Sequence, residues 1–303
     1  MSWMILAAIP PFLWSFSNVI DEYLSKNHFT QSPFLMIVAA SVVQMLPAIG
    51  VLYFHQVAFD LPIMTIIFLN VLGVFTILCF APYIKALQID GAGVAVPLYQ
   101  VIPVFTFIMA WMFLGEVVKL PQVFAAFLIV SAAFAITWDF SKKSISYKTL
   151  LLMFSSSLGL AIYNVIARYY LADIDWQAVL AWNLFGTGIF GLGAAIFHKK
   201  WRQGLIDTLT KGGKHVAVLF NVQALLDLFA FGFFVVALSM APAAGLVSTM
   251  NGLQPFAVLI VSDLAAMILP QYFQKAASGK TLIWRILCII ALFIGVAVLS
   301  LSE

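Results

Sequence analysis

Ten stretches of about twenty apolar residues, separated by short polar connections, leave this chain a single kind of solvent. A bilayer core needs roughly 20 apolar residues per helix. That ruler places spans at 3–24, 33–54, 62–86, 91–114, 120–138, 148–171, 176–197, 215–238, 242–268 and 282–301. Only 9% of the residues are charged and 64% are hydrophobic, against about 25% charged in an ordinary soluble domain. So little polar surface cannot cover a water-facing exterior. No basic segment precedes the first apolar run, whose first lysine is Lys26, so that run reads as a retained helix rather than a cleaved leader.

The spans fall into two sets of five. "SNVIDEYL" (Ser17 to Leu24) is echoed in "YNVIARYY" (Tyr163 to Tyr170), aligning Asn18 with Asn164 at an offset of 146 residues. Asn70 aligns with Asn221 at 151 residues, and Pro103 with Pro255 at 152. Because five is odd, the second copy enters the membrane upside down. The expected fold is an all-α integral membrane protein of ten transmembrane helices in two inverted five-helix repeats, residues 1–143 and 144–303. Such repeats rock around a site at mid-depth.

Of the fifteen Lys and Arg residues, thirteen fall in one alternating set of connections, and only Lys119 and Arg168 fall in the other. The positive-inside rule then puts both termini outside the cytoplasm, in a multi-pass cell (inner or plasma) membrane protein.

An ionisable side chain inside a span costs about 2.5–3.5 kcal/mol on insertion scales, so it marks a function by default. Asp227 lies near the middle of the eighth span, with Gln223, Phe231 and Phe234 on its helical face. It reads as a protonatable or cation-binding group in a central cavity; the alternative is a structural carboxyl bonded to a neighbouring helix. Its first-half counterpart is Thr76. The paired amides Asn18, Asn164, Asn70 and Asn221 must find partners on another helix or on a ligand. Asp21, Glu22 and Arg168 terminate spans one and six and read as interface markers. Asp263, late in span nine, is either interfacial or a second acid.

Pro103 and Pro255 interrupt spans four and nine, beside Gln100 on the first and Asn251 and Gln254 on the second. Each proline removes a donor and frees a carbonyl four residues back, near Tyr99 and Asn251. Loosened backbone at membrane depth is tolerated where protein or a water-filled cavity satisfies it, and paired interruptions point to a transport site; a packing kink is the alternative. Trp14, Tyr83, Tyr99, Phe231 and Phe234 would supply aromatic walls suited to an apolar or cationic group. "FGTGIFGLGAA" in span seven and Ala291-x-x-x-Gly295 in span ten permit close helix approach, within the chain or in a homodimer.

Cys79 and Cys288 stand alone, without disulfide or metal spacing. "SGKT" (Ser278 to Thr281) has Gln274 where a phosphate loop needs its first glycine. All four histidines fall in connections or at span ends, which leaves no intramembrane base. No enzyme activity, cofactor, metal or nucleic-acid partner is expected.

The ten spans, the duplication and "ALQIDGAGVAVPLYQVIPVFTFIMAWMFLGEVV" (Ala86 to Val118) resemble the EamA-type permeases of the drug/metabolite transporter superfamily. In these a short turn leads into a fourth span with a central Pro and a Gly-Glu ending, here Pro103 and Gly115-Glu116. The second copy keeps the Pro in "ALSMAPAAGLVSTMNGLQPF" but not the Gly-Glu. The resemblance implies a secondary transporter, often an exporter of amino acids, other metabolites or drugs. Spans one, three, four, six, eight and nine would line its cavity, and spans five and ten would serve as scaffold. Ten-span members of the family place both ends in the cytoplasm, opposite to the charge count. The competing reading, from another class, is a non-transporting membrane component that assembles or presents a partner.

Overall fold

The computed structural model describes residues 2–30, 32–135, 146–268 and 280–302. The division expected at 143/144, the end of the fifth expected span and the start of "SGKT" lie outside these residues. The described residues are helical: α1 Ser2–Asn27, α2 Pro33–Phe54, α3 Ile63–Asp90, α4 Ala92–Leu98, α5 Ile102–Leu114, α6 Leu120–Ala135, α7 Tyr147–Leu171, α8 Trp176–Phe197, α9 Lys199–Met240, α10 Ala244–Met250, α11 Leu253–Ile268 and α12 Lys280–Leu301. Among them, nine helical segments are long and apolar enough to cross a membrane, and Leu120–Ala135 is a shorter apolar helix. Large apolar side chains such as Phe54, Phe113 and Phe197 are more than 70% exposed. Water would not tolerate so extensive an apolar exterior. This is a multi-pass membrane protein.

Local chemistry sets the helix ends. Ser32 caps α2, its hydroxyl accepting from the Phe34 N–H at 3.2 Å, with Pro33 in the first turn where no N–H is needed. Gly91 (φ 80°) and Gly115 (φ 66°) take positive φ and end α3 and α5, as glycine can without steric cost. Gly213 (φ 60°) breaks α9, so its basic first part is set off from the apolar remainder.

Packing crosses between the two halves of the sequence. α1 lies against α9, α3 against α7, α2 against α8, and α6 against α12, while α5 touches α7 and α11 touches α1. Within a bilayer no hydrophobic effect separates helix from lipid, so close van der Waals approach must hold these pairs. Span-seven glycines supply it inside this chain. A Cβ on Gly186 would strike the Asn70 backbone, and one on Gly191 would strike Ser41 and the Val42 backbone. The Thr187 hydroxyl then donates to the Gly73 carbonyl at 3.0 Å. Gly295 seats α12 on Ile129 and Ala125 of α6 in the same way.

Gly186→Ala should therefore overpack the α3–α8 contact and cost about 1–3 kcal/mol, read as a lowered melting temperature in detergent. Gly193→Ala on the same helix, whose added Cβ meets nothing within 4 Å, should leave it unchanged.

Candidate functional site

The centre of the molecule is built from two broken helices. α4 and α5 are separated by a tight turn at Tyr99–Val101, and α10 and α11 by a turn at Asn251–Gly252. Pro255 has no N–H, so the Asn251 carbonyl loses its ordinary helical partner. It accepts instead from the Gln254 N–H at 2.9 Å and from Gln100 Nε2 at 3.1 Å. The side chain of one break thus closes the backbone of the other. The Gln254 carbonyl accepts from the Ser15 hydroxyl at 3.2 Å, which ties α1 to the same place.

Each half-helix begins on a carboxylate. Glu22 Oε2 accepts from the Ala92 N–H at 3.0 Å, and Lys26 Nζ holds Oε1 at 2.6 Å. At the start of α10, Glu116 Oε2 accepts from the Ala244 N–H at 2.8 Å and Oε1 accepts from Arg168 Nε at 3.1 Å. Arg168 also donates through Nη1 to the Leu238 and Ser239 carbonyls at 2.8 and 3.3 Å, the last turn of α9. Glu22 and Arg168 align in the repeat. A guanidinium cannot accept an N–H, so the second half borrows Glu116, from the Gly-Glu ending, and uses Arg168 to hold it. These residues clasp helix ends.

Between the breaks lies a cavity of about 150 Å³, room for roughly five water molecules. Of the expected site residues, Trp14, Asn18, Thr76, Tyr83, Tyr99, Asn164, Gln223, Asp227, Phe231, Phe234, Asn251 and Gln254 line it. Three do not. Asn221 is exposed and spends its amide on the Ala217 carbonyl at 2.8 Å. Asn70 turns to the Ile66 carbonyl at 2.7 Å. Gln100 is buried behind the break that it closes. Asp263 also lies away from the cavity, on α11.

Asp227 is clasped by two neighbours: the Ser17 hydroxyl donates to Oδ1 and Gln223 Nε2 donates to Oδ2. The Tyr83 hydroxyl donates to Asn18 Oδ1 at 2.6 Å, and Asn164 Nδ2 donates to Ser248 Oγ at 2.9 Å. Ring pairs wall the space: Trp14–Phe234 at 5.8 Å, Tyr163–Phe231 at 5.6 Å and Tyr83–Tyr99 at 5.1 Å between centroids.

Asp21 corrects the reading of it as an interface marker. α1 runs on to Asn27, so Asp21 sits more than a turn inside; it is 5% exposed and lines the cavity. Its spacing from Trp14, Ser17 and Asn18 (seven, four and three residues) is a helical face that could have revealed it. Gln44, Asn183, Thr187 and Tyr163 also line the cavity, and the rule that polar groups at depth are costly would have pointed to the first three. None of the described lining residues is Lys, Arg or His. Several buried lining atoms have no hydrogen-bond partner among the described residues, including Asn18 Nδ2, Asp21 Oδ1, Tyr163 OH, Asn183 Nδ2 and Gln223 Oε1.

Residues 1–138 match the EamA-like transporter family. No curated protein matches the sequence. Among solved structures, one crystal structure of a protein without a stated function superposes with a TM-score of 0.66 at 14% identity, over 99% of this chain and 96% of that one. At that identity the likeness speaks to the fold alone.

Removing the Glu116 charge should uncap α10 and free Arg168. Glu116→Gln is expected to cost about 1.5–3 kcal/mol, the range for hydrogen bonds to charged groups. Paired with Arg168→Gln it should cost less than the sum of the single losses. Strict additivity in thermal unfolding would mean that the two do not interact.

Proposed function

With residues 1–138 belonging to the EamA-like transporter family of the drug/metabolite transporter superfamily, we propose that this chain is a secondary transporter, an exporter of a small metabolite, amino acid or drug-like molecule. It works by alternating access, with proton coupling at Asp227. The observation that carries the reading is the central cavity, bordered by two helix breaks and bearing an acid on its wall. A transport site at mid-depth needs all three: polar atoms for a solute, backbone that can rearrange and a group that changes charge.

The architecture we infer is ten spans in two inverted five-helix repeats. Exchanging each helix for its counterpart turns the α1–α9 contact into the α7–α3 contact and leaves α2–α8 and α6–α12 as they are. This pattern supports a two-fold relation between the halves. The capping scheme supports it as well, since Glu22 holds the start of one half-helix and Glu116 the start of the other. A rocking motion of one repeat against the other would keep the Gln100–Asn251 contact near the pivot and make or break the terminal clasps. The Lys and Arg distribution supports both termini outside the cytoplasm. Of the glycines that could have served a homodimer, Gly186, Gly188, Gly191 and Gly295 are occupied within the chain, whereas Gly193 meets nothing within 4 Å.

The deciding experiment uses protein reconstituted in liposomes with an imposed pH gradient, exposed to labelled metabolite pools. Asp227→Asn should insert and fold as the unaltered chain does, yet lose pH-driven flux by about tenfold or more, which corresponds to at least 1.4 kcal/mol. Full pH-driven flux in the variant would remove the coupling role. No flux of any solute through the unaltered protein would remove the transport reading.

A further inference from the structure

Resting on the transport reading of this cavity, we propose that its solute is a protonated organic amine with an apolar body, the ammonium seated between Asp21 and Asp227. The two acids come from different helices. Ser17, whose hydroxyl bonds Asp227, lies one turn before Asp21 on α1, and Asp21 lies within electrostatic reach of Asp227. Two neighbouring buried carboxyls disfavour each other's ionised form, and a cation between them favours it.

The free hydrogen-bonding capacity has the right sign. Both oxygens of Asp227 are taken, by Ser17 and Gln223. Asp21 Oδ1 is buried and unpartnered, and so is Gln223 Oε1, whose residue is only 3% exposed and whose amide nitrogen is committed to Asp227. These are acceptors, and an ammonium is all donor. An anionic solute would meet two acids and no base, because the described lining residues include no Lys, Arg or His. Two carboxylates are too few for a divalent-cation cage, which needs six to eight oxygens for calcium. Among the described residues no three His, Cys, Asp or Glu side chains gather to form one.

The rest of the wall suits the apolar body. Trp14, Tyr83, Phe231 and Phe234 line the same space, and aromatic rings attract cations as well as burying hydrocarbon. Unpartnered Asn18 Nδ2 and Asn183 Nδ2 remain to recognise a hydroxyl or carbonyl on that body.

Trp14 provides the readout. Tryptophan fluorescence of the full-length purified protein, which carries eight tryptophans, is titrated at neutral pH with 2-phenylethylamine and with the neutral isostere 2-phenylethanol, and a Trp14→Phe variant isolates the Trp14 signal. The amine should bind about tenfold or more tightly than the alcohol, a difference of at least 1.4 kcal/mol. Asp21→Asn should abolish this preference and Asp21→Glu should retain it. Equal affinity for amine and alcohol, no binding of the amine, or an undiminished preference in Asp21→Asn would each overturn the proposal. The isostere comparison on the unaltered chain decides the question even if Asp21→Asn does not fold. A parallel liposome assay separates the two readings. Amine binding with this preference but no flux would refute transport and leave the site standing. Flux of another solute with no amine binding would do the reverse.

Discussion

An unpaired backbone carbonyl in hydrocarbon costs several kcal/mol, and this chain interrupts two of its apolar helical segments all the same. The rest of its construction follows from how that cost is met. Pro255 strips the Asn251 carbonyl of its helical donor, and Gln100, from the other broken helix, supplies a side-chain donor in its place. The Gln254 N–H donates to the same carbonyl, so one acceptor ties its own turn to the other broken helix. Two loosened segments joined by one amide leave a gap beside them that helices alone would have filled, and the cavity occupies that gap.

The ends of the broken helices follow the same accounting with different atoms. The first turn of a half-helix exposes N–H groups that neither lipid nor a neighbouring helix backbone can satisfy. Glu22 answers this for α4 directly. At the aligned position the second half carries Arg168, a pure donor, so the requirement passes to Glu116 and the arginine becomes the holder of the cap. The two half-helix starts share one arrangement, and different residues carry it at each. The central acids show the same asymmetry: Thr76 stands opposite Asp227 in the repeat, and Asp21 opposite Ala167. Both carboxyls belong to the single contact between α1 and α9, which concentrates the negative charge of the cavity on one side.

Much of this was legible from residue order. Helix length and polarity located the spans, because a bilayer imposes one length on every crossing. The prolines located the breaks, because a missing N–H frees a definite carbonyl four residues back. Asp227, Gln223 and the two asparagines of the N-V-I phrase stood out because polar groups at depth are expensive. Asn70 and Asn221 obeyed the same rule and were misread. Depth is a property of position along a helix, whereas lining a cavity depends on rotation about the helix axis. Asp21 failed in the opposite way: its apparent place at a span end hid the extra turn that carries α1 to Asn27.

Taken by itself, the order of residues determined that this chain is a membrane protein, where its helices are weakened and that an acid lies in the eighth span, since each of these follows from local covalent chemistry and the thickness of a lipid layer. Only the tertiary structure decided that Asp21 faces Asp227's side of the cavity, that Gln100 closes the break at Asn251, and that Glu116 does for α10 what Glu22 does for α4. Those pairings join residues 70 or more positions apart, and no local rule of propensity or spacing says which faces of packed helices will meet.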